Sequence, residues 1–133
     1  MRLGAFLLLL IALSACSNQE QKIEEQLANV MAVHDSIMPW MDQMHELDEA
    51  LADQMTVLAE EGADFKPLEK VREDLNESSE MMMIWMSEFK PEEYKKDSKR
   101  ILRYLESEES KITKIGERMS EAINSSKEAL GRD

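Results

Sequence analysis

The chain has 133 residues, with 28 acidic and 16 basic side chains and a net charge of −12. Such a surface repels nucleic acid, and the length suits one domain better than two. Gly and Pro are rare, aromatic residues are few, and Glu, Lys, Leu, Met and Ala dominate, which indicates one all-α domain without strands.

The first fifteen residues predict a cleaved signal peptide. Arg2 precedes an apolar run from Leu3 to Leu13 that is too short to span a membrane. The run ends in Leu13-Ser14-Ala15-Cys16, which resembles the lipobox of bacterial lipoproteins. The resemblance implies that acyl chains on Cys16, the single cysteine, hold the mature protein on a membrane.

The segment after the lipobox leads to expectations about location and domain layout. No Asp directly follows Cys16, which by the lipoprotein sorting rule favours the outer membrane, so we expect a lipid-anchored protein there or on the periplasmic face of the envelope. Residues 16–20 would form the lipidated tether and residues 21–133 the helical domain. Cleavage removes Arg2, so the mature chain has 15 basic and 28 acidic residues, a net charge of −13 that also repels anionic lipid headgroups.

The first predicted helix is long. It begins near Glu20 and ends near Glu61, with Gly62 as a left-handed cap. Its apolar residues alternate in steps of four and three, the period of a bundle or coiled-coil seam, and His34 and Asp48 interrupt that seam. The apolar seam residues are Ile23, Leu27, Val30, Ile37, Met41, Met44, Leu51, Met55 and Leu58.

Pro39 lies inside this helix. A proline there frees the carbonyl of Asp35 and predicts a kink. The seam keeps its phase across Pro39, which favours one bent helix. The alternative is a break, with Asp35 or Ser36 capping a second helix.

Two further helices follow. The second runs from about Pro67 to Phe89 and ends in a tight turn at Lys90. Pro91 would open the third helix, which repeats the four-three spacing and ends near Gly131. Short connections between antiparallel neighbours predict an up-down-up three-helix bundle, with long first and third helices and coiled-coil-like seams.

The unequal lengths of the helices predict two overhangs. The second helix spans roughly 23 residues and its partners about 40, so the start of the first helix and the end of the third would project beyond it. Either these overhangs meet a partner, as in a homodimer or a complex with another envelope protein, or the long helices fold back at Pro39 and Gly116. The overhanging seams are Ile23, Leu27 and Val30 on one helix and Met119, Ile123 and Leu130 on the other.

A stripe of histidine and methionine lies on the first helix. His34, Met38, Met41 and His45 are spaced i, i+4, i+7 and i+11, which places them within about 60° of one face. Thioether and imidazole are the ligands that Cu(I) prefers. Methionine also packs readily into irregular cores, so ligand and core filler both stay open.

Geometry narrows the candidate copper site. His34 and His45 are about 16 Å apart along a helix and cannot share one ion. A Cu(I) site would centre on Met41, His45 and Met82, with Met81 or Met86 as a further thioether. In the same run of the second helix, Met83 and Ile84 point away from the bundle and form a candidate partner surface.

Two acidic residues interrupt the apolar seams. Asp48 and Glu108 could be imagined as paired carboxylates, but neither has a histidine or nucleophile in register with it. A polar layer that fixes helix alignment is the favoured interpretation. Without a cofactor loop or a nucleophile–base spacing, we expect no enzymatic activity.

Three short motifs resemble a group of small bacterial envelope lipoproteins, some of which are labelled after viral A-type inclusion protein repeats. The motifs are HDxxMPxM, MMxWMxxF and YL. The resemblance implies a helical fold and an envelope location but no activity. Our leading hypothesis is therefore a lipid-anchored helical binding or structural module, and the alternative is a periplasmic copper-binding protein. The motif residues are His34, Asp35, Met38, Pro39, Met41, Met82, Met83, Trp85, Met86, Phe89, Tyr104 and Leu105.

Overall fold

The structure, a computed structural model, describes the backbone of residues 3–132 and the side chains of residues 18–132. This part of the chain is all-helical, as predicted, and contains no strand. Its elements are α1 (Leu3–Ile37), α2 (Trp40–Glu60), α3 (Lys66–Glu88), a 3-10 helix (Pro91–Tyr94) and α4 (Ser98–Ala129). Because α1 and α2 are two arms of one bent helix, the fold has three helices.

The helix α1 begins earlier than expected. It runs from Leu3 through the expected tether at residues 16–20, whereas the sequence suggested a start near Glu20. Residues 5–20 contain neither Pro nor Gly, so nothing interrupts the helix there. The side chains of the lipobox residues, including Cys16, lie outside the described residues, and the predictions of cleavage and lipidation stay predictions. Within the described part, no helix has the length and apolar character needed to cross a membrane.

The bend at Pro39 confirms the favoured interpretation. Pro39 keeps helical dihedral angles, with φ −60° and ψ −20°. The N–H of Met41 donates to the carbonyl of Met38 at 3.1 Å, a tightened turn that carries the helix past the proline. No side chain caps α2, so the alternative break with Asp35 or Ser36 as a cap is wrong.

The helix ends agree with the sequence in one connection and not in the other. Gly62 has φ +70°, and the N–H of Ala63 donates to the carbonyl of Leu58 at 2.8 Å, which confirms the left-handed cap. The predicted start of the last helix at Pro91 is wrong. Asp97 caps α4 instead, because its carboxylate accepts from the backbone N–H groups of Lys99 and Arg100, at 3.0 and 3.1 Å. The side chain of Lys90, before Pro91, makes no such bond.

The core takes apolar side chains from every α-helix. α4 packs against α1, α2 and α3, and α2 also packs against α3. The largest fully buried apolar side chains lie on the predicted seams and on α3. They are Val30, Leu51, Leu75, Met82, Leu105, Ile112 and Met119.

The seams of the two predicted overhangs are covered within the chain itself. The side chain of Gln26 on α1 donates to Glu109 on α4, and Ile37 lies against Gly116. The bent helix therefore lies along α4, and the seam residues Val30, Met119 and Ile123 are buried within one chain. Gly116 is not a point of folding back either, since α4 continues through it.

Candidate functional site

Two surface clefts flank α3, one on each side. The α2–α3 cleft has a volume of about 220 Å³. Its lining residues are Met41, Met44, His45, Asp48, Leu75, Asn76 and Ser79. The α3–α4 groove is larger, about 390 Å³. Its lining residues are Met81, Ile84, Trp85, Glu88, Glu108, Lys111, Lys114 and Ile115.

The floor of the α3–α4 groove is a hydrogen-bonded pair. The indole Nε1 of Trp85 donates to Oε2 of Glu108 at 2.9 Å, and both side chains are buried. Nζ of Lys111 donates to the other carboxylate oxygen at 2.7 Å, and this bond raises the pKa of Lys111. Both oxygens of the carboxylate are therefore satisfied, as a buried charge requires. The bond from Trp85 joins α3 to α4, in agreement with the interpretation of Glu108 as an alignment contact.

The wall that α3 contributes to this groove is exposed and apolar. Met81 and Ile84 line the groove and are 39 % and 48 % exposed. Met83 is 54 % exposed but is not part of the lining. The remaining exposed large hydrophobic residue in the described part of the chain is Val57, on α2. Three of the four thus cluster on one helix of a chain that is otherwise highly charged.

An aromatic stack supports the groove floor from one end. The rings of Trp85 and Phe89 stack with their centroids 4.9 Å apart, and Phe89 stacks on Tyr104 at 6.1 Å. Tyr104 in turn stacks on Tyr94 at 4.2 Å. The ring of His34 lies 6.0 Å from that of Trp85. Because each ring is held by its neighbours, the indole has little freedom to leave the groove floor.

The α2–α3 cleft is organised around Asp48. Its carboxylate accepts from Nε of Arg72 at 2.7 Å, from Nη2 of the same side chain at 3.1 Å, and from Nδ2 of Asn76 at 2.7 Å. The hydrogen bond from Arg72 is the main reason why the pKa of Asp48 is lowered. Sequence reasoning missed both partners. The available signal was their i, i+4 spacing, which places two donors on one face of α3.

The residues of the candidate copper site are not all brought together. Met41 and His45 line the α2–α3 cleft with Met44. Met82 is fully buried in the core, and Met81 lines the groove on the other side of α3. His45 is 74 % exposed, with its Nε2 3.6 Å from a carboxylate oxygen of Glu49. Of the candidate ligands, the cleft therefore holds Met41 and His45, the two on α2.

The remaining residues of the stripe have other surroundings. Nδ1 of His34 lies 2.9 Å from the carboxylate of Asp35, while Met38 and Met86 are half-buried against the core. Among the described residues no group of three or more His, Cys, Asp or Glu side chains is placed to hold a metal ion. A Cu(I) site built from methionine thioethers needs no such group, so copper binding stays a prediction.

Comparison with known proteins adds nothing to this geometry. No protein-family model matches the chain, and no curated protein or solved structure matches it. The resemblance to envelope lipoproteins therefore stays an expectation.

Proposed function

We propose that this protein is a lipid-anchored helical binding module of the bacterial cell envelope, and that its α3–α4 groove receives an apolar segment of a partner. The observation that carries the proposal is the pair Met81 and Ile84, exposed beside a buried tryptophan on a chain of net charge −12. Exposed apolar side chains that line a groove are a typical feature of interaction sites. The lipobox residues support the anchor.

Binding fits the groove better than catalysis does. Its buried carboxylate, on Glu108, is held by Trp85 and Lys111, and a carboxylate with both oxygens so engaged is a poor general base. The groove residues also include no Ser, Thr or Cys that could act as a nucleophile. Such a surface suits recognition of a partner, with charged residues at its rim.

We further propose that the three helices form an up-down-up bundle with long first and third helices. The bond from Arg72 to Asp48 supports a reversal between α2 and α3, and the bond from Trp85 to Glu108 supports another between α3 and α4. In this arrangement α3 is flanked on both sides, which accounts for a cleft along each of its edges.

The proposal is tested by cross-linking in cells. A photoreactive amino acid at Ile84 should give a covalent adduct with one partner, because this position lines the groove. The matched control is Val57, which is 46 % exposed and therefore similar in accessibility but lies on α2. An adduct at position 84 that is lost with Met81→Asp and absent at position 57 supports the proposal. Equal adducts at both positions, or none at 84, contradict it.

A second candidate function rests on one specific observation. Met41, Met44 and His45 line the same cleft, so two thioethers and one imidazole lie on one side of α2. These are soft and borderline ligands of the kind that Cu(I) takes. Copper binding is therefore the alternative to partner binding.

A further inference from the structure

The connection between α3 and α4 concentrates positive charge. Between residues 90 and 103 the chain has six basic and three acidic residues, a net charge of +3, whereas the whole chain carries −12. We call this region the basic end. Its basic residues are all exposed: Lys90, Lys95, Lys96, Lys99, Arg100 and Arg103.

The charges of the basic end are largely available to an external anion. Among the described residues, Lys96, Lys99 and Arg103 have no carboxylate within 4.0 Å. Lys95 has one, on Glu92, but at 3.7 Å and with both side chains exposed. Such a surface pair contributes little and exchanges easily for another partner.

The basic end lies beside Asn18 of α1, the first residue whose side chain the structure describes. The side chain of Gln26 bonds to Glu109, and Ile37, later on α1, lies against Gly116, later on α4, so the two helices run in the same direction. Eight residues before that bond on each helix, Asn18 is level with Ile101. Cys16 is two residues from Asn18 and so cannot be more than about 7 Å away.

From this placement we infer that the basic end is a docking surface for anionic lipid headgroups, which acts together with the acyl chains on Cys16. The inference rests on the lipid anchor of the proposed function. A basic patch next to a lipidated residue is a recognised second signal for membrane attachment. It also fixes which end of the domain faces the membrane.

The negative charge of the rest of the chain does not prevent this docking. The Debye length is about 8 Å at physiological salt, so a headgroup interacts mainly with the nearest charges. On α1, Glu20 and Lys22 offset each other. Glu24 and Glu25 are level with residues 107 and 108, about 12 Å along the axis from Lys99. They lie beyond the screening distance from a headgroup at Lys95, Lys96 or Lys99, whereas Arg103 lies close to Glu24 and to the exposed Glu106 and contributes less.

Docking at the basic end determines how far the α3–α4 groove stands from the membrane. Lys111, at the groove, follows Lys99 by twelve residues of α4, which corresponds to about 18 Å. A partner in the groove would therefore lie within about 20 Å of the lipid surface.

The test uses the purified lipidated protein on vesicles. The natural cysteine carries the acyl chains, so one cysteine is added either at Ser98, in the basic end, or at Ala63, in the α2–α3 turn; both positions are exposed. The rate of reaction with a bulky maleimide is measured on phosphatidylcholine vesicles and on an equimolar mixture with phosphatidylglycerol. We expect the mixture to slow the reaction at position 98 about fivefold or more and to leave position 63 unchanged, with loss of the effect in high salt.

Charge variants complete the design. Lys95→Gln, Lys96→Gln and Lys99→Gln together should abolish the protection of position 98. The matched control replaces Lys66, Lys70 and Lys127 by Gln, which removes as much charge from outside the basic end and should change nothing. No protection, or protection that survives the first triple variant, overturns the inference. Failure of the protein to float with any vesicle would instead refute the anchor in the proposed function.

Discussion

Cγ2 of Ile37 lies 3.2 Å from the point that a Cβ atom on Gly116 would occupy. Ile37 is the last residue of α1 before the bend, and Gly116 lies in the middle of α4. The missing side chain lets the two helices approach where the first one changes direction. A glycine in a helix interior lowers helix stability by about 1 kcal/mol relative to alanine. The close contact with Ile37 is the physical reason for a glycine at position 116.

We predict that Gly116→Ala stabilises the protein only when the side chain of Ile37 is also made smaller. In the natural chain the gain in helix propensity is offset by the contact with Cγ2, and Gly116→Val should destabilise by about 1–3 kcal/mol. In an Ile37→Ala background, Gly116→Ala should become favourable, with a coupling energy of about 1 kcal/mol. Urea unfolding followed by circular dichroism measures both. Val57→Ala in place of Ile37→Ala should show no coupling, and equal effects of Gly116→Ala in all backgrounds would contradict the contact.

The bond between Trp85 and Glu108 leads to a second prediction. Glu108→Ala leaves the buried indole N–H without an acceptor, which should cost about 1–3 kcal/mol of unfolding free energy. Glu108→Gln keeps an acceptor oxygen and should cost less. The double variant with Trp85→Phe removes the donor as well, so the two losses should not add. Glu106→Ala, on the exposed face of the same helix, is the control and should change stability by less than about 0.5 kcal/mol. Additive losses would show that the bond carries no coupling.

The sequence predicted the helices well because their signals are local. Apolar spacing identified both long seams, Pro39 identified the bend, and Gly62 identified the end of α2. Each of these depends on residues within a few turns of one another. The same holds for the exposed side chains of Met83 and Ile84, which follow from the helical period of α3.

The register between helices could not be predicted in the same way. A tight turn at Lys90 would have set Trp85 level with residue 95, whereas it bonds to Glu108. The connection uses nine residues, 89–97, part of them in a 3-10 helix, and α4 then begins at Ser98 with Asp97 as its cap. Register depends on that conformation, and Pro91 alone does not reveal it. The expected overhangs, the candidate copper ligands on two helices and the missed contact from Arg72 all depended on register.

A third prediction concerns the pH dependence of stability. Arg72 holds the pKa of Asp48 below its usual value, so ionised Asp48 stabilises the folded state above the unfolded pKa, and this contribution is lost as pH falls through the folded pKa. At neutral pH, Asp48→Asn should cost about 1 kcal/mol, a modest value because Arg72 is partly exposed. The difference between the two proteins should shrink below about pH 4. Unfolding at a series of pH values measures it, with exposed Asp42→Asn as control. A difference that stays constant down to pH 2 would exclude the ion pair as its cause.

The fourth prediction tests the anchor. Cys16→Ser should move the protein from the membrane fraction, where detergent is needed to release it, to a soluble or unprocessed form, because no acyl chain can be attached. Cell fractionation and mass measurement of the purified product detect both changes. Ser17→Ala, at the neighbouring position, should leave the fractionation unchanged. Tight membrane association of the Cys16→Ser protein would contradict lipidation at this residue.

The last prediction separates copper binding from core packing. If the α2–α3 cleft binds Cu(I), His45→Ala and Met41→Leu should each weaken binding, because both side chains line that cleft. Met82→Leu should lower stability without changing affinity, since Met82 is fully buried and lies outside the lining of the cleft. The site centred on all three residues predicts instead that Met82→Leu also weakens binding. His34→Ala serves as control, because this histidine lies against Trp85, away from the cleft.

Competition titration with a Cu(I) chelator gives the affinities for copper. Copper that binds only the folded state should also raise the unfolding midpoint as its concentration increases. Binding no tighter than micromolar in the unsubstituted protein would leave the methionines of α2 as core and boundary packing.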